Sequence, residues 1–385
     1  MRLLCRLACT ALTGVVLLGP TFGTPALAQS DTAQSDTAEA PPPVASIARE
    51  PSGDSTGNAG MAGTAAQDVD PVVDHVIGAV ILPHLDAFAR STAALARTAE
   101  TECLASSEPL RAAWAQAVDD WLMIEDYRLG PLEDQGRRYA IAYWPDAQGH
   151  RPRALARLIA TAPAKITARS MTTAPVSVRG LYAIESLLFD PRFSNYTANS
   201  GACAAVRAIT ADLADLADIV RDGWAGNFGT TMRTPGAPDN TRFLDASEPR
   251  QALYTALISS LGFDIDERLG GPLGTFDTPR PKQAESRLAG RSVANLLGAL
   301  DGHEALALGL APDDRTRETL ATSFANARAE LEALDDPILA GVADPMGRFR
   351  VESVQSSLMQ LEREIEATLG PALGVSMGLN SMDGD

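Results

Sequence analysis

Apolar side chains recur three and four residues apart along most of the chain after residue 70, which is the spacing of one face of an α-helix. The first such run follows Asp70-Pro71, a pair typical of a helix N-cap and first helical position. Pro83 interrupts the run and predicts a kink. Its apolar positions are Val73, Val76, Ile77, Val80, Ile81, Leu85 and Phe88.

A second helix is predicted from Ser107-Glu108-Pro109 to the stop signal Leu129-Gly130-Pro131, and residues 131–150 read as a loop. The apolar stripe of this helix is Leu110, Trp114, Val118 and Trp121. Alternating strand patterns are essentially absent, so the chain is predicted to be all-α. Further helices are predicted at about 151–162, 176–189, 201–224, 247–269, 283–306, 313–335 and 347–369.

About 315 residues follow the N-terminal region, more than one hydrophobic core usually serves, which favours two four-helix-bundle-like halves. We expect the first bundle at about 70–230 and the second at about 240–375 within a domain of residues 70–385. A short internal echo suggests that the halves arose by duplication. Residues 125–132 read E-D-Y-R-L-G-P-L, and residues 266–273 read D-E-R-L-G-G-P-L.

Residues 1–28 have the features of a secretory signal peptide. Arg2 and Arg6 precede an apolar stretch, which is followed by the small-residue cleavage site at residues 26–28. Residues 29–69 are rich in small polar residues and proline and are predicted to be a disordered linker. No later stretch is expected to cross a membrane. The signal peptide predicts that the chain is exported, most simply to a Gram-negative periplasm.

Cysteine use and charge agree with export. Cys103 and Cys203 are the two cysteines left after cleavage, and an oxidising compartment favours a disulfide between them; the alternative is two separate buried thiols. Removing Arg2 and Arg6 leaves 30 basic residues against 49 acidic ones, a net charge of −19. That balance argues against a nucleic-acid partner and is compatible with cations.

Two glutamates lie on otherwise apolar helix faces. Glu185 shares a stripe with Val178, Tyr182 and Phe189, and Glu125 continues the stripe of the second helix. A buried carboxylate needs a cation, a proton or a metal ion. Pairing with an arginine or with Tyr182 is the simpler interpretation of this pattern, and carboxylates on facing helices also build bundle metal sites. The arginines considered as partners are Arg128, Arg179 and Arg291.

The segment Gly180 to Phe189 resembles the Gly-x-His-x-x-Glu motif of the imelysin family, with Tyr182 at the histidine position and Glu185 at the glutamate. Other segments are similar to the family in the same order, over about residues 70 to 385. These are Ile81-Leu82-Pro83 with Phe88, the series Trp114, Trp121, Glu125, Gly130-Pro131, the group Gly290-Arg291-Ser292 with Asn295, and the ending Gly378 to Asp385.

The resemblance implies two duplicated bundles, export to the periplasm with possible outer-membrane association, a role in iron uptake and a metal site at the motif. Carried onto this chain, the metal ligands are Glu125, Tyr182 and Glu185. A tyrosine phenolate with carboxylates suits iron and makes zinc a poorer choice. Polar residues of the second half are expected to contribute, namely Arg291, Ser292 and Asn295.

The predicted function is a periplasmic metal- or iron-binding component of an iron-uptake system, with iron or an iron-containing ligand and other iron-uptake proteins as partners. One alternative is the metallopeptidase activity that the resemblance also implies, with Glu185 as general base, although the chain has no His-Glu-x-x-His motif and no catalytic residue is assigned. The other is a partner-binding protein with a degenerate metal site. The histidines are predicted to be surface or capping residues: His75, His84, His150 and His303.

Overall fold

The folded chain begins where the sequence predicts. In the computed structural model, which describes residues 69–376, Asp70 accepts hydrogen bonds from the backbone N–H groups of Val72 at 2.9 Å and Val73 at 3.3 Å, and Pro71 follows it. These bonds satisfy donors that have no partner within the first helical turn. The predicted signal peptide, the linker up to residue 68 and the ending after residue 376 lie outside the described residues.

Nine helices of at least ten residues make up most of the described chain, and strands are absent from residues 69–376, which confirms the all-α prediction. They are α1 (Pro71–Thr101), α2 (Glu108–Leu122), α3 (His150–Ile159), α4 (Gly180–Phe189), α5 (Gly201–Gly223), α6 (Glu248–Phe263), α7 (Ser292–Leu310), α8 (Asp314–Glu332) and α9 (Pro345–Leu373).

Helix α1 continues through Pro83. The six residues Val76–Ile81 just before the proline form a π-helical turn. Because proline has no N–H to donate to the preceding turn, a wider turn at this point accommodates it without ending the helix.

By length and mean hydropathy (1.5), α1 is apolar enough to cross a membrane, contrary to the expectation that no segment after the leader would be. In this fold its inward side chains are buried against α2 and α5. A buried core helix can have the same length and mean hydropathy as a membrane-spanning helix. The inward residues include Val73, Ile77, Ile81, Leu85 and Phe88.

The helices form two groups. Helices α1, α2, α4 and α5 pack together, with α3 against α5, and helices α6 to α9 pack together. Helix α7 also contacts α1 and α2, and a single cluster of buried apolar residues extends through both groups. The described chain is therefore one compact unit containing two four-helix groups. Their origin by duplication stays a prediction.

Helix α2 ends earlier than the stop signal at Leu129-Gly130-Pro131 predicts, at Leu122. At this end α7 packs closely, since a Cβ atom on Gly302 would lie 2.6 Å from the carbonyl oxygen of Leu122. The chain turns over residues 123–126, and Glu125 is therefore on a turn and not on the helix.

Two other boundaries differ from prediction. Residues 131–150, predicted to be a loop, include short helical turns at Asp134–Gly136 and Arg137–Ile141. Helix α7 begins at Ser292, about nine residues after the predicted start. The preceding segment bends through left-handed backbone at Ser286 (φ +43°) and Gly290 (φ +74°), which an α-helix cannot contain.

Cys103 and Cys203 form a disulfide, as predicted from the cysteine count. Cys103 follows α1, and Cys203 lies in the first turn of α5, with 5.2 Å between their Cα atoms. The bond closes a segment that contains α2, α3 and α4. It therefore ties the first helix group together covalently.

We expect the double variant Cys103→Ser/Cys203→Ser to lower the free energy of unfolding by about 2–4 kcal/mol, because the unfolded chain regains the freedom that a closed loop removes. Urea unfolding of the disulfide-bonded wild type and of the variant, both without reducing agent, measures the difference. As a control, a reducing agent should destabilise the wild type and leave the variant unchanged. A variant as stable as the oxidised wild type would contradict this account of the bond.

Candidate functional site

The glycine of the Gly-Leu-Tyr motif positions the inward face of α4. Gly180 has φ +68°, and a Cβ atom there would lie 2.0 Å from the carbonyl oxygen of Ile141, so a larger residue does not fit. This close approach starts α4 against the short helix Arg137–Ile141. Tyr182 and Glu185 follow within two turns, and both are buried.

A single guanidinium group, that of Arg268, lies at the centre of the buried polar residues. Its Nη1 and Nη2 atoms donate to the two carboxylate oxygens of Glu125 at 2.5 and 2.8 Å. Its Nε donates to Glu285 at 2.8 Å, and Nη1 also bonds to Asp264. Arg268 is 2% exposed, so this pairing takes place away from water. We call Arg268, Glu125, Asp264 and Glu285 the Arg268 cluster.

A π-helical turn places two members of this cluster. The turn Asp264–Leu269 continues α6, and its i,i+4 pair Asp264 and Arg268 both face inward. Burial alone would lower the pKa of Arg268, but Glu125, Glu285 and Asp264 together hold it well above its usual value. Arg268 therefore stays charged.

A second cation is joined to the cluster. His303 of α7 is fully buried, with Nδ1 2.7 Å from Asp126 and Nε2 3.1 Å from Asp264. Burial opposes its charged form, but Asp126 and Asp264 outweigh burial and raise the pKa of His303 to about 10. The imidazolium thus bridges the two helix groups. The prediction of a surface or capping histidine was wrong at this position.

The other histidines lie nearer the surface. His75 and His150 are exposed, in agreement with the prediction. His84 is partly buried, with its Nδ1 2.9 Å from the hydroxyl of Tyr127.

Tyr182 is bonded to the same cluster. Its hydroxyl donates to Glu285, whose other oxygen accepts from Asn295 Nδ2 at 3.1 Å. Burial and the negative charge of Glu285 raise the pKa of Tyr182 well above its usual value, so the phenol keeps its proton.

The second-half residues predicted to contribute hold the segment that carries Glu285. Ser292 donates to the backbone carbonyl of Glu285 at 2.6 Å, and Asn295 contacts the Glu285 carboxylate directly. Arg291 faces away from the cluster and pairs with Asp119, while its Nε donates to Asn295 at 3.3 Å. Of these three, only Asn295 is bonded to the side chain of a member of the Arg268 cluster.

Glu185 makes no direct bond to Arg268. Its carboxyl group lies near the side chain of Ser286, the backbone of Ala289 and the cation Arg151. Burial is the largest effect on this carboxyl group and, only partly opposed by Arg151, raises its pKa to about 7.

The arginines proposed from sequence as partners of the buried glutamates are engaged elsewhere. Arg179 forms two 2.8 Å bonds with Asp212, and Arg128 lies over the ring of Phe263. The true partner, Arg268, lies in the echo segment 266–273. That segment is similar to residues 125–132, but nothing in its spacing indicates that the arginine is buried.

The residues expected to bind a metal ion do not fit that role in this arrangement. Both oxygens of Glu125 are bonded to Arg268, and Tyr182 is a protonated donor to Glu285. Over residues 69–376, no three histidine, cysteine, aspartate or glutamate side chains are grouped so as to hold a metal ion. A guanidinium occupies the centre of the carboxylates instead.

A small pocket opens beside the Arg268 cluster. Its volume is about 20 Å³, enough for roughly one water molecule. Its polar lining consists of three arginines, two glutamates and a tyrosine, and its apolar lining is mostly aromatic. These residues are Glu125, Arg128, Arg138, Tyr182, Arg268 and Glu285, with Trp121, Ala142, Trp144 and Phe263.

Fold and site together define a helical two-group protein with a buried arginine–carboxylate cluster at the junction of the groups. The family model for imelysin, a peptidase family, matches residues 81–365. The chain therefore belongs to the imelysin family, as the motif resemblance predicted.

Individual relatives are distant. Iron-regulated protein A of Synechococcus elongatus is 23% identical over 286 residues, which cover 69% of this chain and 75% of that protein. An imelysin-like protein from Psychrobacter arcticum has a similar fold, with a TM-score of 0.65 and 20% identity over 81% of this chain and 99% of that one. A predicted iron-regulated protein A precursor from Parabacteroides distasonis gives a TM-score of 0.59 and 11% identity, covering 77% and 94%.

Replacing Arg268 tests the central pairing. Arg268→Met should lower the free energy of unfolding at pH 7 by about 3–5 kcal/mol, because it leaves three buried carboxylates without their cation. Urea unfolding measures the loss, and Arg350→Met, at an exposed arginine, is the control. A loss no larger than that of the control would mean that Arg268 does not neutralise the cluster.

The raised pKa of Glu185 predicts a pH dependence. Between about pH 4.5 and 7 the folded protein keeps a proton that the unfolded chain releases, so the free energy of unfolding falls as pH rises through this window. Glu185→Gln removes this loss. Its stability relative to wild type should therefore rise with pH by up to about 3 kcal/mol.

Thermal or urea unfolding at several pH values measures this slope. Glu330→Gln, at an exposed glutamate, should leave the wild-type slope unchanged. Equal slopes in Glu185→Gln and the wild type would show that Glu185 titrates as an ordinary exposed carboxylate.

Proposed function

We propose that this protein is an exported binding protein in an iron-related process, and that Arg268 takes the place of a metal ion among its buried carboxylates. The observation that carries the proposal is the pairing of Glu125, Asp264 and Glu285 with one guanidinium at the junction of the helix groups. A metal ion at these carboxylates would have to displace the guanidinium that already pairs with all three.

The iron-related part of the proposal is supported by the relatives. Two of them are described as iron-regulated protein A, and one of these is a precursor. The N-terminal pattern of residues 1–28 and the Cys103–Cys203 disulfide support export to an oxidising compartment such as the periplasm. We infer that the protein acts by binding a ligand or a partner of an iron-uptake system.

Direct binding of iron by Glu125, Tyr182 and Glu185 is the competing proposal. It is favoured by the way Glu125 and Tyr182 line one pocket. This proposal requires two changes. Arg268 must give up its bonds to Glu125, and the hydroxyl of Tyr182 must lose its proton. A metallopeptidase would need the same metal ion with Glu185 as its base.

Thermal unfolding of the metal-stripped mature protein separates these proposals. With ferric, ferrous, zinc or copper ions we expect no change in the wild-type melting temperature. In Arg268→Ala the three freed carboxylates should create a cation site, and saturation at a hundred times the dissociation constant should stabilise the variant by about 2.7 kcal/mol. Arg350→Ala is the matched control.

Stabilisation of the wild type by iron, lost in Glu125→Gln and Glu185→Gln, would instead establish direct metal binding. If neither the wild type nor Arg268→Ala responds to any ion, Arg268 does not stand in for a metal. The cellular role is tested separately. A strain without this chain should grow more slowly under iron limitation and should recover when the wild-type gene is restored.

A further inference from the structure

The pocket beside the Arg268 cluster contains a cation without an internal partner. The Nε atom of Arg128 is buried and has no hydrogen-bond partner among the described residues. The carboxylates around it are used elsewhere, since Glu125 is bonded to Arg268 and Glu133 to Arg138. Burial lowers the pKa of Arg128, and the nearby charge of Glu125 only partly opposes this effect.

A second guanidinium lines the same pocket. Arg138 uses its Nε to bond Glu133 at 2.9 Å, and its two terminal nitrogens make no hydrogen bond within residues 69–376. Like charges brought together at a partly buried place are unfavourable unless an anion joins them. The two arginines therefore supply donors that the described chain does not use.

The carboxylates of the pocket do not compete for these donors, because their own hydrogen bonds are satisfied. Glu125 binds Arg268 through both oxygens, and Glu285 binds Arg268, Tyr182 and Asn295. The lining has three guanidinium groups and two carboxylates. Asp264 also pairs with Arg268 and Glu133 with Arg138, so the buried donor left without a partner among the described residues is Nε of Arg128.

The rest of the wall is apolar and strengthens any charge pairing inside. Trp121, Ala142, Trp144 and Phe263 complete the lining, and the guanidinium of Arg128 lies 5.0 Å from the ring centre of Phe263. An ion pair between such walls is stronger than one in open water. The ring also holds the guanidinium in place by a cation–π contact.

We propose that this pocket binds the carboxylate group of an anionic ligand, with Arg128 and Arg138 as its recognition residues. A planar carboxylate matches the paired N–H donors of a guanidinium. The volume of about 20 Å³ holds about one oxygen atom, so a bound carboxylate places one oxygen in the pocket and the rest of the ligand at its opening. The inference rests on the proposed binding role and gives its ligand class.

Isothermal titration of the metal-free mature protein with formate, acetate and citrate, each at constant ionic strength set by chloride, tests the proposal. We expect at least one of these to bind, and Arg128→Gln to weaken that binding by about tenfold or more. Arg350→Gln, at an exposed arginine, should bind as the wild type does. Circular dichroism verifies that each variant is folded.

Binding of formate and acetate that depends on Arg128 would identify a site for a small free carboxylate. Citrate binding alone, with the same dependence, would identify the carboxylate arm of a larger ligand. Absence of binding by all three, or equal binding by Arg128→Gln and the wild type, would overturn the proposal. If Arg128→Gln does not fold, Arg128→Lys and Arg138→Gln decide in the same way. Because no metal is present, this result is independent of the metal titrations.

Discussion

The buried guanidinium of Arg268 is the constraint on which the rest of the site depends. One cation pairs with carboxylates from three separate parts of the chain, and each of those parts must be in place for the others to stay buried. The imidazolium of His303 adds a second tie, from α7 to Asp126 in the turn after α2. Because an unpaired buried carboxylate costs several kcal/mol, packing of the two helix groups and neutralisation of their charges are a single event.

The helices could be predicted from sequence because apolar spacing is a local signal, and the N-cap at Asp70 is local too. Their ends could not always be predicted. The helical spacing of α2 extends to Glu125, but the helix ends at Leu122, where Gly302 of α7 packs closely against it. Glu125, Tyr182 and Glu185 were recognisable as polar residues on apolar faces. Arg268, Glu285 and His303 were missed because their importance comes from partners far away in sequence, and no periodicity marks such pairs.

Family membership and chemistry give different information about this chain. The family carries a peptidase name, and a metal-dependent peptidase needs oxygen or nitrogen ligands that are free to bind its metal ion. Here Tyr182, at the position where the sequence resemblance places the motif histidine, donates a hydrogen bond to Glu285. The residues that would support a metal ion support a guanidinium instead, while the unmatched donors of the neighbouring pocket are cationic.

The distribution of opposite charges between the helix groups determines how the protein can be divided. Glu125 and Asp126 belong to the first group, whereas their cations, Arg268 and His303, come more than a hundred residues later. The first group made alone would bury Glu125 and Asp126 without these cations, which is unfavourable. We therefore expect the two groups to reach their final packing together and to be poor units for separate expression.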